Sequence, residues 1–70
     1  MDVPTPEPSG WSLLTPRERE VFDWAKIGKT NWAISRILNC SEATVKKHLQ
    51  RIYRKLGVEN RVEALNALRE

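Results

Sequence analysis

Between residues 43 and 58, in ATVKKHLQRIYRKLGV, five cations (Lys46, Lys47, Arg51, Arg54, Lys55) and one histidine occur without a single acid. The 70-residue chain has a net charge of +3, so the residues outside this segment sum to −2. Ammonium and guanidinium groups gathered in this way can neutralise phosphates. Lysine can also donate to guanine O6 and N7, and glutamine can pair with adenine N6 and N7, at base edges in a major groove. A merely solvated helix face mixes Glu with Lys, because opposite charges four residues apart stabilise it. Here Lys46–Gln50–Arg54 and Lys47–Arg51–Lys55 are i,i+4 rows with no acid. In the second row like charges are neighbours, at a cost of about 0.2–0.5 kcal/mol per pair. A purely structural helix gains nothing from that cost. The expected partner is therefore a nucleic acid, the face suiting a major groove, with Arg51, Arg54 and Lys55 further along toward phosphates. The alternative is a protein-interaction module that docks its basic face on an acidic partner such as a polymerase subunit. An RNA-binding bundle would interleave exposed aromatics with the cations, and this face lacks them.

The elements that must position these residues are marked by start and stop signals. Thr15, Pro16 and Glu18 form a T-x-x-E capping box with proline at the first helical position, stapled by Leu13 and Leu14. The first helix should run over 16–27, with Val21, Phe22, Trp24 and Ala25 in the core and Gly28 as its stop. A short second helix, capped by Thr30 or Asn31, turns Ile34, Ile37 and Leu38 inward and ends at Asn39, which suits a left-handed residue. Ser41 caps a third helix over about 42–56, Glu42 lies in its favourable first turn, and Gly57 ends it. Asn60 caps a fourth helix, with Glu63 three residues on and Val62, Leu65 and Leu68 at helical spacing. There is no strand signal. The fold class is all-α, a four-helix bundle, and the tight turn over 39–41 makes the second and third helices a helix-turn-helix.

Along the third helix, at about 100° per residue, Val45, Leu49, Ile52 and Leu56 form a buried seam. Ala43, Lys46, Lys47, Gln50 and Arg54 lie opposite, with Arg51 at the edge. The start of the second helix, Thr30 to Trp32, offers backbone N–H groups and a helix dipole to another phosphate.

Composition removes other classes. A 40% hydrophobic chain with three Trp can form a compact core. One cysteine precludes an internal disulfide framework, and the spacing of Cys40 and His48 suggests no metal site, so no cofactor is expected. The single cysteine fits a reducing cytoplasm, no apolar run approaches the roughly 20 residues of a membrane span, and no signal-peptide pattern is present. No catalytic constellation emerges, so an enzyme is not expected. Cys40 reads as a buried structural thiol, His48 as a packing or phosphate residue, and Trp24 and Trp32 as core or half-buried packing residues. Tyr53 borders the seam. Arg17, Glu18 and Arg61 are expected in internal ion pairs. Residues 1–10, with three prolines and a glycine, read as a flexible arm or linker remnant ahead of the domain at 11–70.

Leu14-Thr15-Pro16-Arg17-Glu18 with Glu20-Val21, Gly28-Lys29-Thr30-Asn31, Ile34, Ile37-Leu38, Ser41, Thr44-Val45-Lys46, His48, Ile52, Lys55-Leu56-Gly57-Val58 and Asn60-Arg61 with Glu63-Ala64 resemble the LuxR/GerE family of bacterial transcription regulators. The Gly28-Lys29-Thr30-Asn31-Trp32 version is most similar to its quorum-sensing branch. The resemblance implies a C-terminal effector domain of a longer regulator, attached to a receiver or small-molecule sensor. It implies dimeric binding to inverted repeats, with RNA polymerase as a possible further partner and a monomer or weak dimer off DNA. It places base-reading positions at Lys46, Lys47 and Gln50. Thr44, His48, Arg51, Arg54 and Lys55 are then available to phosphates, and the dimer contact falls on Ala64, Ala67 and Leu68. Ala33, where the family usually has Glu, and Lys26, where a small residue is common, depart from the pattern.

Overall fold

Side-chain caps set where each helix begins. Thr15 Oγ1 accepts from the Glu18 N–H at 3.1 Å while Glu18 Oε1 accepts from the Thr15 N–H at 2.9 Å. That closes the expected capping box at the head of α1 (Pro16–Lys26). Thr30, rather than Asn31, caps α2 (Asn31–Leu38), its hydroxyl accepting from the Ala33 N–H at 3.1 Å. Ala33 has no side chain able to reach back, so this cap is one-way where that of α1 is reciprocal. Ser41 accepts from the Thr44 N–H at 3.0 Å to start α3 (Glu42–Leu56). Asn60 Oδ1 accepts from the Glu63 N–H at 2.9 Å to start α4 (Arg61–Ala67). A short 3-10 helix, Trp11–Leu13, precedes α1. This computed structural model describes residues 11–67, so the expected arm over 1–10 and Leu68 lie outside the described residues.

The stops share one geometry. Lys29, Cys40 and Val58 donate their N–H groups to the carbonyls of Trp24, Ser35 and Tyr53, five residues back, at 3.2, 2.9 and 2.9 Å. The preceding Gly28, Asn39 and Gly57 donate to Ala25, Arg36 and Arg54. This is the double hydrogen bond of a Schellman stop, which needs a left-handed residue at the pivot. Gly57 meets that need without a Cβ (φ 74°), and Asn39 tolerates it as the one non-glycine at positive φ (58°) among the described residues. The turn at Asn39 sends the chain from α2 into α3 within a few residues.

The core is formed where α3 crosses the other helices. Val45, Leu49 and Ile52 of α3 are buried against Val21, Phe22 and Ala25 of α1, Ile34 of α2, Ala64 of α4 and Leu14. Burying each of the larger side chains contributes about 1.5–3 kcal/mol, so α3 is held by its inner face while its outer face stays free. No strand occurs among the described residues, and no described helix is long and apolar enough to cross a membrane.

Several expected core residues face outward. Ile37 is 44% exposed, and Ser35 takes the inner position on α2, its hydroxyl donating to the Trp32 carbonyl at 2.7 Å. A short helix packed between two others buries a narrow stripe, and a small hydroxyl satisfied by its own helix fits there. Leu13 and Val62 are also exposed, at 62% and 66%. On α4 the fully buried residue is Ala64, whose small side chain lets the helix approach closely. Trp24 and Cys40 are half-buried against the core, so Cys40 is not the fully buried thiol expected.

Candidate nucleic-acid interface

The outer face of α3 presents Ala43, Thr44, Lys46, Lys47, Gln50, Arg51 and Arg54, all exposed. None of Lys46, Lys47, Gln50, Arg51 or Arg54 forms a side-chain hydrogen bond or ion pair with another described residue. The expected base-reading residues Lys46, Lys47 and Gln50 thus share one face with the expected phosphate residues Thr44, Arg51 and Arg54. Thr44 Oγ1 lies 3.0 Å from Ser41 Oγ at the head of the helix.

Lys55 departs from this group. Its Nζ donates to Glu18 Oε1 at 2.8 Å, across 37 positions of sequence, and the Glu18 side chain is 4% exposed. In the unbound domain Lys55 is therefore paired with α1, unlike the other cations expected at phosphates. The acid belongs to the capping box, so the same carboxylate holds the head of α1 and the tail of α3. Burial pushes the Glu18 carboxyl up. The hydrogen bond from Lys55, the Thr15 N–H and the charges of Lys55 and His48 outweigh it, and the carboxyl lies below its ordinary value. His48 is half-buried on the same flank, and its Nδ1 is enclosed without a hydrogen-bond partner among the described residues. That position suits packing near Glu18 better than the open surface that Arg51 and Arg54 share.

Two arginines fix α2 beside α3. Arg17 donates to the Leu38 carbonyl at the tail of α2 at 3.4 Å, and to Glu20 at 3.0 Å. Arg61 donates to the Lys29 carbonyl at 3.2 Å and to Asn31 Oδ1 at 2.9 Å, at the head of α2. Of the two, only Arg17 is in an ion pair among the described residues, and its partner is its own helix neighbour. Of the three residues expected in ion pairs, Glu18 and Arg17 form them, and both guanidiniums also reach the ends of α2. Residue type alone cannot show that the acceptor is a backbone carbonyl. The Asn31 side chain is consequently occupied, leaving the backbone of Asn31 and Trp32 at the helix head. Trp32 is 59% exposed, not packed as expected, and the Arg36 guanidinium lies 5.5 Å from its ring centroid.

Of the expected dimer residues, Ala64 is fully buried and cannot reach a partner while α4 is docked. Ala67 is exposed. No cluster of three or more His, Cys, Asp or Glu able to hold a metal occurs among the described residues. The departures from the family pattern are local: Lys26 pairs with Asp23 at 3.2 Å on the surface, and Ala33 leaves the α2 cap one-sided.

Residues 12–68 match the family model described as bacterial regulatory proteins, luxR family. The chain is 50% identical over 62 residues to the transcriptional activator protein BjaR1 of Bradyrhizobium diazoefficiens, covering 89% of this chain and 25% of that protein. It is 50% identical over 60 residues to the quorum sensing-dependent transcriptional regulator RpaR of Rhodopseudomonas palustris, covering 86% and 25%. Against the transcriptional activator protein LuxR of Aliivibrio fischeri it is 47% identical over 55 residues, covering 79% and 22%. The chain thus spans about a quarter of the length of these relatives. With α2, the turn and α3 forming the helix-turn-helix, the chain belongs to the luxR family of bacterial regulatory proteins and is its DNA-binding domain.

Proposed function

We propose that this domain binds a specific duplex DNA sequence as the effector part of a transcription regulator, with α3 in the major groove and α2 braced across the backbone. The observation that carries this is the outer face of α3, where exposed Lys46, Lys47, Gln50, Arg51 and Arg54 have no partner among the described residues. Lys46, Lys47 and Gln50 contact base edges. Arg51, Arg54, Thr44 and the helix head at Thr30, Asn31 and Trp32 contact phosphates, with His48 at the margin and Lys55 withdrawn. Two copies bind an inverted repeat, meeting through the exposed side of α4 around Ala67. Two of the relatives are named transcriptional activators, which supports RNA polymerase as a further partner of the bound domain. The isolated chain is a monomer or weak dimer, since α4 uses its buried side for its own core.

Fluorescence anisotropy with labelled duplex pools at two salt concentrations tests this. Selection of an inverted repeat, with affinity falling steeply as salt rises, is the expected result. Absence of binding even at low salt would overturn it and favour docking of the basic face on an acidic protein.

A further inference from the structure

An open depression of about 400 Å³ lies where the heads of α2 and α3 meet, lined by Asn31, Glu42, Ala43 and Lys46. Glu42 is the first residue of α3 and is exposed. It stands four residues before Lys46, so it extends the row Lys46–Gln50–Arg54 by one turn and places an acceptor at the end of a line of donors. No ion pair joins Glu42 to Lys46 or to any other described residue. Ala43 keeps the wall between them low, and Asn31, held by Arg61, closes the far side. The recess therefore brings one acceptor and one donor to the same wall, both exposed.

In a major groove a G·C pair offers the complement: acceptors O6 and N7 on guanine, and beside them the N4–H₂ donor on cytosine. We infer that Glu42 is a specificity-determining residue, which together with Lys46 reads one G·C pair, Lys46 donating to guanine and Glu42 accepting from cytosine N4. This rests on α3 lying in the major groove. Toward DNA, an acid at the mouth of a phosphate-binding face that met no base would only weaken binding, because it repels every backbone equally and discriminates nothing. Its ordinary explanation, a favourable charge in the first turn of a helix, requires only a carboxylate near the helix head and no role for the base opposite it. The two accounts differ in what is read: a dipole role moves stability, and a base contact moves sequence preference.

The test is selection from randomised duplexes, followed by anisotropy on the selected site and its single-position variants. The unsubstituted chain, Glu42→Ala, Glu42→Gln and Lys46→Ala are compared, with folding of each checked by far-UV circular dichroism. Expected is a roughly tenfold loss of preference for G·C at one position in Glu42→Ala, with the same position relaxed in Lys46→Ala. Affinity of Glu42→Ala for unrelated duplex should rise, since a repulsive charge is removed. The assignment is overturned if Glu42→Ala tightens binding to all sequences while preference stays intact, which means Glu42 faces a phosphate. It is also overturned if the two substitutions relax different positions. In both cases the groove placement of α3 survives. Absence of DNA binding by the unsubstituted chain removes the groove placement and this assignment together.

Discussion

The two cationic rows of α3 have nearly the same composition and run parallel in sequence, yet they have different fates. Lys46–Gln50–Arg54 stays exposed over its whole length, without a partner among the described residues. Lys47–Arg51–Lys55 starts exposed and ends in an ion pair with the buried Glu18. The cause is geometric. Four residues at about 100° each overshoot a full turn by about 40°, so an i,i+4 row winds slowly around its helix. The first row winds from the α2 side onto the outer surface. The second starts on that surface and winds on until Lys55 reaches the flank packed against α1. One row stays open on the surface, while the other ends by fastening α3 to α1. Counting charges would assign them the same role.

Removing the fastening should have the largest effect. Glu18→Ala deletes half of the capping box and leaves Lys55 beside an apolar seam, and should lower unfolding free energy by about 2–4 kcal/mol in urea titrations. Glu18→Gln retains a hydrogen-bond acceptor for the Thr15 N–H but not the charge, and should lose about half as much. A change below about 0.5 kcal/mol for Glu18→Ala would show that the link contributes nothing beyond a surface pair.

Acid should dissolve the same link in the intact chain. The folded-state carboxyl of Glu18 lies below its ordinary value, so the folded form holds this proton less readily than the unfolded chain does. Its contribution is therefore complete above the ordinary carboxylate range and disappears as pH falls through the lowered value. The stability difference between the chain and Glu18→Gln should be constant near neutral pH and shrink below about pH 4. A difference unchanged down to pH 3 would mean that charge on Glu18 is irrelevant to the link.

How far the sequence foretold this molecule depends on how local each signal is. Helix heads were legible because Thr15, Thr30, Ser41 and Asn60 bond to N–H groups three residues away, within one readable window. The left-handed stop at Asn39 was legible for the same reason, and so was the seam Val45–Leu49–Ile52, which the helical period alone defines. What failed was non-local. Lys55 looked like its neighbours because its partner is 37 positions away, and although Glu18 is expected in an internal ion pair, nothing local names Lys55 as its partner. Trp32 and Ile37 were expected inside because they are apolar, but a helix as short as α2 has room for only one buried stripe, taken by Ile34 and Ser35. The free outer face of α3 was visible as an absence of acids. Which of its cations had a job elsewhere depended on the packing of α1.

The finest test of the comparison separates adjacent residues. Arg54 closes the open row and Lys55 the fastened one, so they are neighbours in sequence with opposite assignments. Arg54→Gln should reduce the magnitude of the slope of log affinity against log salt by about 0.9, the loss of one phosphate contact, with a similar proportional weakening on all sequences. Lys55→Gln should leave that slope unchanged, because its ammonium displaces no counterion from DNA while it holds Glu18. It should instead lower unfolding free energy, so the two substitutions move different observables. If Lys55→Gln also reduces the slope by a full contact, the Glu18 link must open when DNA binds. The second row would then be a reserve of charge released on contact, and the two rows would differ only in the unbound domain.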